Sequence, residues 1–168
     1  MHKAPLFDID KISVFIFDFD GVLTDNIVFT NQNGIESVAC SRADGLAFDV
    51  LHRLKKQSYI LSSEKNQVVE ARANKLKIPV IQGINNKVNA LKEFKKKEGI
   101  DFKSVLYMGN DLNDYGAMQL CGISVCPADS HPKIKEISDI VLKTNGGNGV
   151  VRELLEDILG LDFVKILY

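Results

Sequence analysis

Apolar positions fall along this chain in two kinds of run. Residues 12–17 (Ile12-Ser13-Val14-Phe15-Ile16-Phe17), 105–108 and 123–126 are almost continuously apolar. Short runs without polar alternation predict strands covered on both faces, as in a parallel sheet. Shorter apolar stretches at 59–61, 80–81 and 140–142 predict three more strands. Between them the spacing turns helical. Leu46, Val50, Leu51 and Leu54 share one side of a helix expected over 44–57, and others are expected over 66–76, 86–98, 114–120 and 150–159. Residues 28–30 and 35–39 flank Asn31-Gln32-Asn33-Gly34, an Asn-Gly turn that predicts a hairpin. Strands and helices alternate apart from that antiparallel insertion. The expected fold class is α/β, a doubly wound and mainly parallel sheet in a single domain over 1–168.

Ligands of such sheets bind outside the carboxyl ends of the strands. Those ends carry Asp18 and Asp20, then Ser62 and Ser63, then Gly109-Asn110-Asp111. In Phe17-Asp18-Phe19-Asp20-Gly21-Val22, two carboxylates separated by one residue point the same way. Neighbouring buried anions repel and need a cation. Mg²⁺ suits them, because it takes oxygen ligands and often only one or two carboxylates plus substrate phosphate. Gly109-Asn110-Asp111-Leu112-Asn113-Asp114 clusters acid and amide oxygens that fit the far side of such a site, although Asp111 or Asn113 would equally cap the next helix. Lys87, at a helix start, can reach a phosphate as a point charge. The hydroxyls of Ser62 and Ser63 can donate to phosphoryl oxygens, or cap a helix.

Charge narrows the partners. With 21 basic and 22 acidic residues the formal net charge is -1, which argues against a general nucleic-acid binder. No apolar run approaches the roughly 18 residues needed to cross a bilayer, and the first residues lack the apolar stretch and cleavage site of a signal peptide. A soluble cytoplasmic protein is the expectation. Cys40, Cys121 and Cys126 form no CxxC pair and are expected to be reduced thiols, while His2, His52 and His131 are scattered without metal-ligand spacing.

Taken in chain order, Asp-x-Asp, Ser, Lys and Gly-Asn-Asp-x-x-Asp resemble the haloacid dehalogenase superfamily of phosphohydrolases over nearly the whole chain. Asp18-Phe19-Asp20-Gly21-Val22-Leu23-Thr24-Asp25 is the most specific stretch. The resemblance implies Asp18 as nucleophile and Asp20 as general acid and base, with the Asp20 carbonyl also on Mg²⁺. It implies Ser62 holding the transferring phosphoryl, Lys87 neutralising its charge, and Asp111 and Asn110 completing the metal site.

No cap domain fits between the motifs, since one hairpin and one helix fill the first gap and one helix and a short strand the second. The chain is therefore similar to the capless members, which form tetramers in which a neighbour covers the site. A homotetramer with the hairpin as contact element is expected. Asp44-Gly45, Gln82-Gly83 with Asn86-Lys87, Ala128-Asp129 before His131-Pro132, and Gly146-Gly147-x-Gly149 before Arg152-Glu153 resemble 3-deoxy-D-manno-octulosonate 8-phosphate phosphatases. Ser62-Ser63-Glu64 and Gly109-Asn110-Asp111 instead resemble the sister group acting on nine-carbon sugar acids such as 2-keto-3-deoxynononate 9-phosphate. Glu64, Arg72 and Lys75 match that group too: Arg72 and Lys75 share a helix face, Arg72 to take the sugar carboxylate and Glu64 to accept from hydroxyl or amine groups. Asp114 and Ser63 complete the expected substrate contacts. The expectation leans to the nine-carbon substrate, with the eight-carbon one as alternative. Two other classes compete: a non-catalytic assembly module, and a signalling receiver domain, which would lack Asp20.

Overall fold

Alternate residues of Val14–Phe17 (β1) serve opposite sides of one sheet. Phe15 and Phe17 belong to one buried apolar cluster, Val14 and Ile16 to another. That period of two is what a strand imposes. The computed structural model describes residues 7–168. The opening segment, with His2, lies outside the described residues.

The hairpin strands are Phe29–Thr30 (β2) and Glu36–Ser37 (β3), paired antiparallel. Gly34 takes the left-handed conformation of the expected turn, at φ +74°. Six parallel strands form the main sheet. The remaining five are Gln57–Leu61 (β4), Val80–Ile81 (β5), Val105–Met108 (β6), Ile123–Cys126 (β7) and Ile140–Val141 (β8), in the order β5-β4-β1-β6-β7-β8. The chain winds outward from β1 in both directions, so the switch point lies at its carboxyl end, beside β4 and β6.

Seven helices cover the sheet among the described residues: Arg42–Arg53 (α1), Gln67–Leu76 (α2), Lys87–Glu98 (α3), Tyr115–Leu120 (α4), Pro132–Ile137 (α5), Val150–Glu153 (α6) and Phe163–Leu167 (α7). Phe48 and Leu51 of α1, Val69 of α2 and Val151 of α6 pack on the Phe15 side. Leu91 and Phe94 of α3, Met118 of α4 and Ile134 of α5 pack on the other. Ser41, Asn66 and Asn86 cap α1, α2 and α3 with side-chain oxygens. None of the described helices is long and apolar enough to cross a membrane.

Several boundaries differ from the sequence reading. The helix α1 stops at Arg53 because Lys55 turns left-handed, at φ 55°, and Gln57 already pairs with Val14. The last helix, expected over 150–159, starts as α and widens to a π turn over Leu154–Ile158. The helices α5 and α7 were not expected.

The glycine-rich turn before α6 braces the loop after β1. Gly147 N–H donates to Val22 O at 2.9 Å, and a Cβ on Gly146 would lie 2.1 Å from Gly21 O. Asp129 Oδ1 accepts from Gly146 N–H, and the Glu153 carboxylate accepts from Lys143 and Thr144 N–H. Buried Asp44 reaches across from α1, its Oδ1 accepting from Val151 and Arg152 N–H at 2.9 and 3.1 Å. Burial pushes Asp44 up to about 6, against the pull of those two donors and of Arg72. Because the Gly146 contact is backbone on backbone, Gly146→Ala should cost about 1–3 kcal/mol in urea unfolding. It should also slow turnover by displacing Gly21.

Candidate active site

The loop after β1 delivers Asp18 to the switch point. Asp18 N–H continues the sheet by donating to Met108 O, and its Oδ1 accepts from Phe19 N–H at 2.8 Å. Gly21, at φ +79°, lets the chain turn back, and a Cβ there would lie 1.9 Å from Asn110 Nδ2. Opposite, Lys87 begins α3 and is buried. Its Nζ lies 2.8 Å from Asp18 Oδ1 and 2.7 Å from Asp114 Oδ1. Desolvation alone would lower the Lys87 pKa, but Asp18 and Asp114 outweigh it and raise it, so the ammonium persists. Burial, then the charge of Asp114, pushes Asp18 up to about 8, with Lys87 and Phe19 N–H opposing. Asp20 is half-exposed and also raised, first by burial and then by Glu64, with Lys87 opposing and Glu36 adding to the rise.

Asp18, Asp20, Ser63, Glu64, Asn110 and Asp111 line a cleft of about 330 Å³. A second cavity of about 350 Å³ shares Asp20, Asn26 and Glu64 and adds Glu36 and Asn66. Asn66 Nδ2 donates to Glu36 Oε2, tying the hairpin to the start of α2.

Among the described residues, no three His, Cys, Asp or Glu side chains gather as a metal-holding group. The cleft instead combines the acids Asp18, Asp20, Glu64 and Asp111 with the amide of Asn110, oxygen donors that suit a hard cation keeping some of its own water. Asn110 Oδ1 is buried without a partner and belongs to this cleft. Asp111 Oδ1 is already engaged by Leu112 N–H at 2.7 Å. Asn110 Oδ1 is therefore an oxygen that could turn to magnesium without giving up a hydrogen bond, beside the Asp111 carboxylate that carries charge.

Four expected contacts are placed differently. Ser62 is buried, and its hydroxyl closes onto the Glu64 main chain, accepting from Glu64 N–H at 3.2 Å; Ser63 lines the cleft instead. Asp114, expected on the substrate, has no exposure: Lys87 and Tyr107 donate to its Oδ1, and Asn110 and Asp111 N–H to its Oδ2. Arg72 donates to Ser41 O at 2.7 Å and does not line the cleft, nor does exposed Lys75. Helix geometry explains this, since at 1.5 Å per residue Lys75 sits about 13 Å along α2 from its cap. In the sequence Tyr107 is marked only as part of a strand. A phenol in an otherwise apolar buried strand needs a partner for its O–H, and that was the available signal.

Residues 47–154 match the haloacid dehalogenase-like hydrolase family. The chain is 34% identical over 151 residues to the 3-deoxy-D-manno-octulosonate 8-phosphate phosphatase KdsC of Escherichia coli K12, covering 89% of this chain and 80% of that protein. KdsC of Yersinia pestis is 32% identical over 150 residues, at the same coverages. Among solved structures, a HAD family hydrolase from Streptomyces avermitilis superposes with a TM-score of 0.89 at 39% identity, over 96% of this chain and 98% of that one. The Moraxella catarrhalis 3-deoxy-D-manno-octulosonate 8-phosphate phosphatase, in complex with magnesium, phosphate and KDO, superposes at 0.85 with 33% identity, over 90% and 87%. With acids, hydroxyls and a buried lysine gathered at the switch point of a parallel sheet, the chain belongs to the haloacid dehalogenase-like hydrolase family.

Proposed function

We propose that this phosphatase hydrolyses the phosphate ester of a 2-keto-3-deoxy sugar acid, with 3-deoxy-D-manno-octulosonate 8-phosphate as the leading substrate. The observation carrying the chemistry is the buried Lys87 ammonium, 2.8 Å from the Asp18 carboxylate that lines the cleft. The similarity to 3-deoxy-D-manno-octulosonate 8-phosphate phosphatases supports the eight-carbon substrate over the nine-carbon one expected from sequence.

In its ionised form Asp18 attacks phosphorus, and the sugar oxygen leaves with a proton from Asp20. Asp20 then takes a proton from water, which attacks the aspartyl phosphate, releasing inorganic phosphate and restoring Asp18. Splitting the reaction in this way replaces one difficult step by two easier ones. Lys87 offsets charge on the phosphoryl oxygens, and Ser63 donates a hydrogen bond to them while Ser62 shapes the turn. Asp18, the Asp20 carbonyl and Asn110, with Asp111 alongside, would hold Mg²⁺, which supplies further positive charge to the phosphoryl group. Glu64 faces substrate hydroxyls. Ile27, Phe29 and Ile35 of the hairpin segment are 55%, 64% and 64% exposed, which supports a homotetramer assembled through that element.

Glu64 raises the pKa of Asp20, and Asp20 must be protonated when the sugar leaves. Activity is therefore lost as pH rises through the Asp20 pKa. Glu64→Gln removes one raising charge, so the alkaline limb of the kcat/KM profile should move to lower pH. An unmoved limb would assign it to another group.

The substrate test is phosphate release with Mg²⁺ from the eight-carbon and nine-carbon sugar-acid phosphates. Faster release from the eight-carbon ester supports the proposal, whereas preference for the nine-carbon ester restores the other substrate on the same chemistry. Release from neither, nor from an aryl phosphate, would leave the chain as an assembly module.

A further inference from the structure

We infer that Tyr107 is a positioning residue for the phosphoryl-transfer step, holding Asp114 so that the Lys87 ammonium stays shared with Asp18. The inference rests on the proposed role of Lys87. Tyr107 has no exposure and stands mid-strand in β6, in the apolar cluster with Leu91, Phe94 and Ala117. Its hydroxyl donates to Asp114 Oδ1 at 2.8 Å, the same oxygen that receives Lys87 at 2.7 Å. Burial first, and Asp114 next, keep the phenol well above its ordinary pKa, so it remains a donor.

Asp114 is thus fully engaged, with two donors on each oxygen. Asp114 and Asp18 compete for one ammonium. A second donor on Asp114 Oδ1 draws off part of that oxygen's negative charge and weakens its hold on Lys87. Without the phenol O–H, Asp114 would draw the ammonium away from Asp18 and from the phosphoryl group. The cost falls where charge develops, in the transition state, and therefore on kcat rather than KM.

The test is steady-state kinetics of the full chain with Mg²⁺ and an aryl phosphate. Tyr107→Phe keeps the ring and removes only the oxygen. It should lower kcat about tenfold, change KM less than twofold, and weaken inhibition by vanadate, a mimic of the transferring phosphoryl, by a similar factor. In a Lys87→Met background the same substitution should have no further effect on kcat, because it acts through the lysine. Val105→Ala, a truncation in the same cluster, controls for a loosened core: it should lower the Tm without moving kcat at 25 °C.

Wild-type kcat and vanadate inhibition in Tyr107→Phe would overturn the inference. Full additivity with Lys87→Met would overturn it too. If Tyr107→Phe proves too unstable to assay at 25 °C, the same ratios are read at 10 °C, and kinetics there equal to wild type would count against it. Absence of turnover in the wild type would instead overturn the proposed function.

Discussion

Asp18→Asn should lower phosphate release by about 10⁴-fold or more, because the amide cannot form the acyl phosphate on which the two-step route depends. The variant should still fold, and without Mg²⁺ it should be more stable than wild type in alkaline solution. The sign follows from the raised pKa. Asp18 is held at about 8 in the fold against 3.8 in the free chain. Between those values the unfolded chain ionises Asp18 first, so wild-type stability falls as pH rises through that window. Asparagine carries no such slope, and Tm measured from pH 5 to pH 9 should show the two proteins diverging as pH rises. Adding Mg²⁺ should raise the wild-type Tm more than that of Asp18→Asn, since a ligand's stabilisation grows, logarithmically, with its affinity for the folded state. Substantial turnover by Asp18→Asn would remove the covalent route.

Lys87→Met should be damaging in both respects. The lysine is buried and is the shared partner of two buried carboxylates. Removing it leaves uncompensated charge, a loss of about 3–5 kcal/mol when one partner of a buried pair is deleted. Turnover should fall by about 10²–10³-fold, the usual effect of deleting a charge-stabilising donor. Urea unfolding at pH 6 and pH 9.5 distinguishes the causes. If stranded carboxylates are responsible, the deficit grows at pH 9.5, where wild-type Asp18 ionises beside the lysine while the variant, its Asp18 held still higher, goes on losing stability. A deficit equal at both values would point to lost packing of the lysine stem.

The strands of the sheet were legible because burial on both faces demands near-continuous apolar runs, and β1, β6 and β7 have them. The start of β4 was hidden, since Gln57 and Ser58 are polar and only pairing with Val14 and Phe15 makes them strand. The helix α5 is one short turn-and-a-half opened by Pro132 and capped by His131, too brief to display a period. The acids of the cleft were legible because paired carboxylates after an apolar strand have few structural uses. Direction was not. Which of Ser62 and Ser63 faces the cleft depends on a turn closed by the Glu64 main chain. Asp114 looks like any acid near a helix start, and only Lys87 and Tyr107, far apart in sequence from each other, reveal it as internal.

The link from Asp44 to Val151 spans 107 residues. It fastens the turn that supports the Asp18 loop to a helix made much earlier in synthesis. Closing so long a loop comes late, because its entropy must be met before the contact rewards it. A growing chain can therefore assemble β1, β4 and β6 and bring Asp18 beside Lys87 while the loop between them is still unbraced. The brace on the Asp18 loop is then set only when residues 146–153 reach α1, so the order of that loop depends on a stretch far from it in sequence.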